Sequence, residues 1–159
     1  MIRRAFIVCL VLTTILLASC IRDQPRKIGT PEMPMTADRL AGLYGKELEL
    51  VRLVQNGSPV TIPSGKSPTL TFIDKTKAGG FAGVNRYSGE YQFSNGAEIT
   101  WSGPGFIATK MAGPPERMAL EDRFLATLGK TKRVGTVENR VILSSEDDQF
   151  ITEFQRPAN

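Results

Sequence analysis

The sequence of 159 residues contains no histidine and only two cysteines, Cys9 and Cys20. Histidine is the most frequent general base near neutral pH and the commonest zinc ligand, so much acid–base and metal chemistry has no candidate residue. Both cysteines lie in the first twenty residues, which leaves the remaining chain without a thiol for a disulfide, a metal or a nucleophile. We therefore expect a protein that is not an enzyme and that holds no metal or cofactor.

A strong charge of one sign is also missing. Lys and Arg together number 20 and Asp and Glu 16, so the net charge is +4. The basic residues are spread along the chain and form no stripe, which argues against a nucleic-acid partner. A hydrophobic content of 41% and a charged content of 23% are ordinary for one globular domain.

The first twenty residues have the layout of an export signal. Arg3 and Arg4 precede an apolar run over residues 5–18, which is shorter than the roughly 20 residues that a permanent membrane helix needs. Residues 17–20, Leu-Ala-Ser-Cys, resemble the bacterial lipobox, in which the cysteine takes a diacylglycerol before the signal is cleaved. We predict a lipoprotein signal peptide over residues 1–19 and lipidation, including palmitate, at Cys20. The alternative is an ordinary signal peptide, or an uncleaved anchor, with an incidental cysteine.

The resemblance to a lipoprotein predicts a location in the cell envelope. The residue after Cys20 is Ile21 and not the aspartate that resembles an inner-membrane retention signal. This favours the outer membrane, with the chain facing the periplasm. Residues 20–39 contain three prolines and no apolar period, which predicts a tether. Met33 and Met35 are interpreted as incidental residues of that tether.

Short β-rich runs with turn signals between them fill most of the remaining chain. They predict a mainly β fold, a small antiparallel barrel-like sheet. Reversals are expected at Asn56-Gly57, Asn95-Gly96 and Glu138-Asn139. The predicted strands cover residues 48–54, 69–73, 89–93, 98–101, 133–137, 141–144 and 150–154.

One segment predicts a helix packed across the sheet. It begins at Pro114-Pro115-Glu116 and ends at Gly129. Leu120, Phe124 and Leu128 recur every four residues, so they form one apolar stripe.

Three motifs favour a structural interpretation over a chemical one. Residues 63–67, Pro-Ser-Gly-Lys-Ser, lack the first glycine of a phosphate-binding loop, because Val60 stands there. Ser88 lacks a histidine to activate it as a nucleophile. The acidic residues 146–148 lack a calcium-loop pattern and predict a solvated turn.

Two separated blocks carry a family resemblance. Residues 79–91 read GGFAGVNRYSGEY and residues 107–113 read IATKMAG. Together they resemble the META domain family, which includes heat-shock-associated lipoproteins of bacterial envelopes. The resemblance covers residues 40–156 and implies a non-catalytic domain linked to envelope stress or drug tolerance.

The sequence departs from the family pattern at three positions. Val84 and Gly113 stand where many members have cysteines, so the bridge that the resemblance implies is missing here. Leu48 lies near the position of a tryptophan that is usual in the first strand. Loss of both cysteines together leaves no unpaired thiol in an oxidising compartment.

Asn85, Arg86 and Tyr87 are the candidate partner contacts. The competing interpretation is a scaffold corner, because the neighbouring glycines suit close backbone approach and tight turns. Two functions stay open: an interaction module that binds another envelope protein, and a carrier of a small apolar ligand in a barrel cavity. Trp101 is expected in the core.

Overall fold

The computed structural model describes residues 33–94 and 96–157, and all structural statements below concern these residues. They form ten strands and two helices: β1 (Met33–Pro34), α1 (Ala37–Ala41), β2 (Leu48–Gln55), β3 (Ser58–Pro59), β4 (Thr69–Phe72), β5 (Lys77–Phe81), β6 (Arg86–Ser94), β7 (Glu98–Ala108), α2 (Pro115–Leu128), β8 (Arg133–Val137), β9 (Arg140–Ser144) and β10 (Phe150–Gln155).

Eight of the strands close into an antiparallel barrel, which confirms the predicted fold class. Their order is β8-β7-β6-β5-β4-β2-β10-β9, and β9 pairs with β8 to complete the ring. The seam between β7 and β8 is narrow, with Glu98 opposite Arg133. Beyond it β1 takes over the same edge of β8, pairing Met33 with Thr136. The N-terminal strand therefore covers an edge that β7 leaves open.

The barrel interior is filled with large apolar side chains, as strand alternation requires. Helix α2 contributes Leu120, Phe124 and Leu128 to this core, all at most 2% exposed. The predicted helix and its apolar stripe are thus confirmed. The largest fully buried side chains from the strands are Leu48, Leu50, Leu53, Leu70, Phe72, Tyr91, Ile99 and Phe154.

Two of the predicted reversals are present at the described residues. Asn56 and Gly57 have φ angles of 54° and 71° between β2 and β3. Glu138, with φ of 50°, turns the chain from β8 into β9. Positive φ at these positions matches the twist of the flanking strands. The reversal predicted at Asn95-Gly96 falls partly outside the described residues, because Asn95 is not among them.

Strand β5 was not predicted, because its glycines were interpreted as a barrel corner. A Cβ atom on Gly79 would lie 2.6 Å from the carbonyl oxygen of Tyr87, and one on Gly80 would lie 2.2 Å from that of Thr69. Only glycine allows the backbones to approach this closely. The residues that make this a strand are therefore ones that ordinary strand propensity disfavours.

Strand β7 runs seven residues further than predicted and carries a wide bulge. Ser102 lies opposite Glu90 and Ile107 lies opposite Ser88, so four residues of β7 face only Gly89. Two glycines in the bulge, Gly103 and Gly105, have positive φ. The bulge turns the strand so that Phe106 packs against the core cluster.

The end of the predicted tether packs on the domain. Met35 is 1% exposed and belongs to the core, so its interpretation as an incidental tether residue was wrong. The side chain of Thr36 caps α1 by accepting the N–H of Arg39. Met35 lies between Pro34 and Thr36 in a stretch without apolar periodicity, so its burial could not be predicted from the pattern.

The first 32 residues, with Cys20 and the predicted signal peptide, lie outside the described part of the chain. In the part that is described, neither helix has the length and apolar character that a bilayer crossing needs.

Candidate functional site

The two sequence blocks of the family resemblance meet at Asn85, which is buried just before β6. Its side-chain carbonyl Oδ1 accepts hydrogen bonds from Thr109 Oγ1 at 2.8 Å and from the backbone N of Met111 at 2.7 Å. Its amide Nδ2 donates to the carbonyl oxygen of Met111 at 3.2 Å. One asparagine thus ties the start of β6 to the chain that follows β7.

Helix α2 reaches the same place through the buried carboxylate of Glu121. Oε2 accepts the backbone N–H groups of Val84 at 3.0 Å and Asn85 at 2.7 Å. Oε1 accepts the side-chain Nδ2 of Asn85 at 2.8 Å. A buried carboxylate is costly unless hydrogen bonds replace its lost hydration, and here three N–H groups do so.

The hydrogen-bonding groups of this Asn85–Glu121 cluster are directed at one another. Both polar atoms of the Asn85 side chain and both oxygens of Glu121 have protein partners. A network satisfied in this way fixes the positions of a helix and two strands. The role of the cluster is therefore structural: it holds the loop before β6, the residues after β7 and α2 together.

Arg117 of α2 holds a second loop against the same corner. Its guanidinium donates to the carbonyl oxygens of Gly83 at 3.0 Å, Ser64 at 3.4 Å and Lys66. The ammonium group of Lys66 lies 5.3 Å from the centre of the Phe81 ring. Residues 63–67 therefore form a surface loop tied to the helix, as the missing glycine at position 60 predicts.

Tyr87 and Tyr91 lie on the inner face of β6, and the hydroxyl of each donates to a backbone carbonyl. The Tyr87 hydroxyl donates to Thr69 O at 2.9 Å, and the Tyr91 hydroxyl donates to Asp74 O at 2.6 Å. Burial raises the pKa of Tyr87 well above its usual value of 10.0. Burial also raises the pKa of Tyr91.

Trp101 is half-buried next to Tyr91 and donates from Nε1 to Thr131 Oγ1 at 3.0 Å.

The structure separates the three candidate contact residues. Asn85 is 2% exposed and Tyr87 is 4% exposed, whereas Arg86 between them is exposed. The side chains of Asn85 and Tyr87 are therefore not available to a partner, in agreement with the competing interpretation of a scaffold corner. Arg86 is exposed and Tyr87 is buried because successive side chains of a strand point to opposite faces. Arg86 remains as the candidate contact, and Cys20 lies outside the described residues.

Val84 and Gly113, the positions of the implied cysteine pair, lie against each other. A Cβ atom on Gly113 would be 3.3 Å from Val84 Cβ and 2.6 Å from Val84 Cγ2. The valine side chain occupies the space in front of the glycine. In this chain a van der Waals contact between Val84 and Gly113 replaces the disulfide bridge that the family resemblance implies.

Sequence reasoning missed an outer apolar patch, which we define as Ile73 and Ile107; Met111, in the second motif block, is also exposed. These side chains are 53%, 71% and 56% exposed. Ile73 and Ile107 line one cavity of about 400 Å³ on the outside of the barrel, beside the β7 bulge. The patch had no signal in the sequence, because an apolar residue in a predicted strand, such as Ile73, is ordinarily assigned to the core, and Ile107 lay outside the predicted strands.

The acidic residues 146–148 form the predicted turn between β9 and β10. Asp147 accepts from Ser145 Oγ at 2.6 Å and from Gln149 N at 3.1 Å, and these bonds lower its pKa. Asp148 pairs with Arg133 at 2.6 Å. In the described part of the chain no group of three acidic or thiol residues is placed to hold a metal ion.

Comparisons with known proteins agree with this architecture. The model of the META domain family matches residues 41–158. An NMR structure of a protein from Burkholderia xenovorans is similar with a TM-score of 0.62 and 23% identity, covering 87% of this chain and all of that one. A crystal structure of a DUF4847 family protein from Bacteroides vulgatus has a TM-score of 0.51 and 10% identity, covering 74% of this chain and 96% of its own. At these identities the likeness concerns the fold alone. None of the curated proteins compared with this chain matches it.

Proposed function

This chain belongs to the META domain family, and on that premise we propose that it is a non-catalytic bacterial envelope lipoprotein, anchored through Cys20, whose barrel is an interaction module. The observation that carries the proposal is the outer apolar patch with Arg86 nearby. Ile73 lines a cavity with Ile107 on one side and a second cavity with Arg86 on the other. Exposed apolar side chains beside a cation are typical of surfaces that bind protein partners.

The filled barrel weighs against the alternative of a carrier for a small apolar ligand. Phe72, Phe124 and Phe154 are fully buried, and they contact further aromatic rings of the interior. A carrier requires an apolar cavity of a few hundred Å³ in the place that these side chains occupy. The interaction module is therefore the better supported of the two.

The contact surface is tested by photo-cross-linking in intact cells. A photoreactive amino acid at Ile107 is expected to capture an envelope protein, and Arg86→Glu is expected to reduce that capture. The matched control places the same amino acid at Val51, which is exposed on β2 at 42%. Equal capture from both positions, or none from Ile107, contradicts the proposal.

The lipid anchor is tested independently by metabolic labelling with a palmitate analogue. Two or more acyl chains are expected to fix the wild-type chain in the membrane fraction, since a single chain gives only reversible binding. Cys20→Ala is expected to carry no label, whereas Cys9→Ala keeps it. Mass spectrometry that finds an unmodified thiol at Cys20 excludes the anchor.

From the family resemblance we further propose a role in envelope stress or drug tolerance. We expect deletion to sensitise cells to heat or to an envelope-targeting drug, with rescue by the wild-type chain. Rescue by Cys20→Ala to the same level contradicts a role at the outer membrane.

A further inference from the structure

A further cavity, separate from the two that Ile73 lines, lies at the N-terminal edge of the domain. It has a volume of about 460 Å³ and opens between α1, the turn from β8 to β9 and the residues after β10. Its wall includes Met33, the first described residue. The size is in the range of pockets that hold small organic ligands.

The lining of this cavity is strongly cationic. Arg39 from α1, Lys46 from the loop before β2 and Arg156 after β10 line it, and Glu138 is the one acidic residue among the described residues of the lining. Within residues 33–94 and 96–157 none of the three cations lies within 4.0 Å of a carboxylate oxygen. The Nε atom of Arg156 is buried and has no acceptor among these residues. Cations gathered in this way repel one another, and an anion would relieve that repulsion.

Glu138 does not neutralise the cavity on its own. It is exposed at the tip of the turn and also acts on Arg140. The pKa of Arg140 is raised by its hydrogen bond to Glu153, by the charge of Glu153 and, less strongly, by Glu138. Among the described residues of the lining, one carboxylate therefore stands against three cations.

We propose that this cavity, which we call the basic cavity, binds a phosphate-bearing anion. Two guanidinium groups favour phosphate because their planar forks donate two parallel hydrogen bonds to its oxygens. Asn139 adds a neutral donor and acceptor at the rim, and Leu43 adds an apolar wall that suits an organic substituent. The chemistry is that of a phosphate ester, either a soluble one or the headgroup of an anionic phospholipid.

The position of Met33 bears on the source of that phosphate. The stretch from Met33 back to Cys20 is about 13 residues, which reach at most roughly 45 Å when extended. If Cys20 is lipidated, the bilayer surface stays within that reach, and headgroups are present at high effective concentration. Only this preference for a lipid source rests on the proposed anchor; the anion site itself does not.

The test is an NMR titration of the full chain in a nonionic detergent. The probes are inorganic phosphate, sn-glycerol 3-phosphate, dihexanoyl phosphatidylglycerol and, as a neutral control, glycerol. Saturable shifts are expected at the amides of Gly42 and Asn139, which line the cavity, and not at that of Ile107. Phosphatidylglycerol binding roughly tenfold tighter than glycerol phosphate identifies a lipid source, and equal affinities identify a soluble one.

Charge variants keep the result independent of folding defects. Arg39→Gln with Arg156→Gln is expected to weaken binding roughly tenfold or more, since two charge-assisted contacts are lost. Lys110→Gln with Arg123→Gln removes two exposed cations elsewhere and serves as the matched control. Glu138→Gln is expected to tighten binding several-fold, which an unfolded protein cannot mimic. No saturable shift with any phosphate probe, or an unchanged affinity in the cavity variant, overturns the proposal.

Discussion

Asn85 and Glu121 fix the orientation of each other's side chains. The Asn85 amide donates to Glu121 Oε1 at 2.8 Å while its carbonyl accepts two hydrogen bonds, so a flipped amide would set donor against donor. Glu121 in turn can serve all its partners only as an acceptor. The pair therefore holds the loop before β6 against α2, and it joins the two motif blocks, which are distant in sequence.

The first prediction concerns the charge of this pair. Glu121→Gln replaces one acceptor oxygen with a donor, which leaves at least one buried N–H without a partner. We expect the free energy of unfolding to fall by about 2 to 3 kcal/mol. Urea unfolding followed by Trp101 fluorescence measures it. The neighbouring Asp122→Asn, on the exposed face of the same helix, is the control and should change stability by less than about 0.5 kcal/mol.

The contact between Val84 and Gly113 supports a second prediction. The Cβ atom of Val84 and a Cβ atom on Gly113 would be 3.3 Å apart. This is slightly less than the Cβ–Cβ distance of ordinary disulfides, so cysteines at both positions need only a small shift of the backbone to form a bridge. We expect the bridge to form in air and to stabilise the protein by about 2 to 4 kcal/mol relative to its reduced form. Mass spectrometry after thiol alkylation and thermal unfolding with and without reductant measure both effects.

The single variant Gly113→Ala is the control for that pair. Its methyl group would lie 2.6 Å from Val84 Cγ2 and gain no bond, so it is expected to destabilise by about 1 to 3 kcal/mol. A double variant that stays reduced in air would show that the Cβ atoms of the two positions lie further apart than 3.3 Å.

The helix and the turns could be predicted because their signals are local. Pro115 begins α2, Gly129 ends it, and the spacing of Leu120, Phe124 and Leu128 sets its buried face. Asn56-Gly57 likewise specifies its own turn through positive φ angles. Each of these features needs only a few neighbouring residues, and the structure agrees with each prediction.

Features that depend on distant partners could not be predicted. Glu121 was visible only as an acidic residue early in a helix, since its partners lie 36 and 37 positions earlier in the chain. Strand β5 is stabilised by glycines that matter only because Thr69 and Tyr87 approach them. The burial of Asn85 and Tyr87 could not be predicted either, because it depends on which face of the strand is turned inward by distant parts of the chain. Both were therefore candidate contacts.

A third prediction concerns the fit of Phe106 over Gly89 at the β7 bulge. A Cβ atom on Gly89 would lie 2.7 Å from Phe106 Cδ1, so Gly89→Ala is expected to cost about 1 to 3 kcal/mol. Phe106→Leu shortens the side chain and should make the alanine nearly neutral, which appears as coupling in a double-mutant cycle. Gly96→Ala, where the nearest atom is 3.8 Å away, is the control. Additive effects would show that the bulge moves aside instead of holding Phe106 in place.

The last prediction concerns stability at alkaline pH. Burial raises the pKa of Tyr87 above the value near 10 that it has in the unfolded chain. The contribution of the protonated Tyr87 side chain to the free energy of unfolding is therefore fully present below pH 10. Above that pH the unfolded state releases a proton that the folded state keeps. The free energy of unfolding should then fall by roughly 1.4 kcal/mol per pH unit from this group until the folded pKa is reached.

Tyr87→Phe separates this effect from the titration of lysines, which is common to both proteins. At pH 8 the variant is expected to be less stable by about 1 kcal/mol, because the hydrogen bond to Thr69 O is lost. Between pH 10 and 11 the wild type should lose stability more steeply, so the difference between the two narrows. Urea unfolding at pH 8, 10 and 11 measures both slopes. Equal slopes of stability against pH in the two proteins would mean that the Tyr87 hydroxyl is exposed to solvent in the folded state. That result would contradict the burial that excludes Tyr87 from the partner surface.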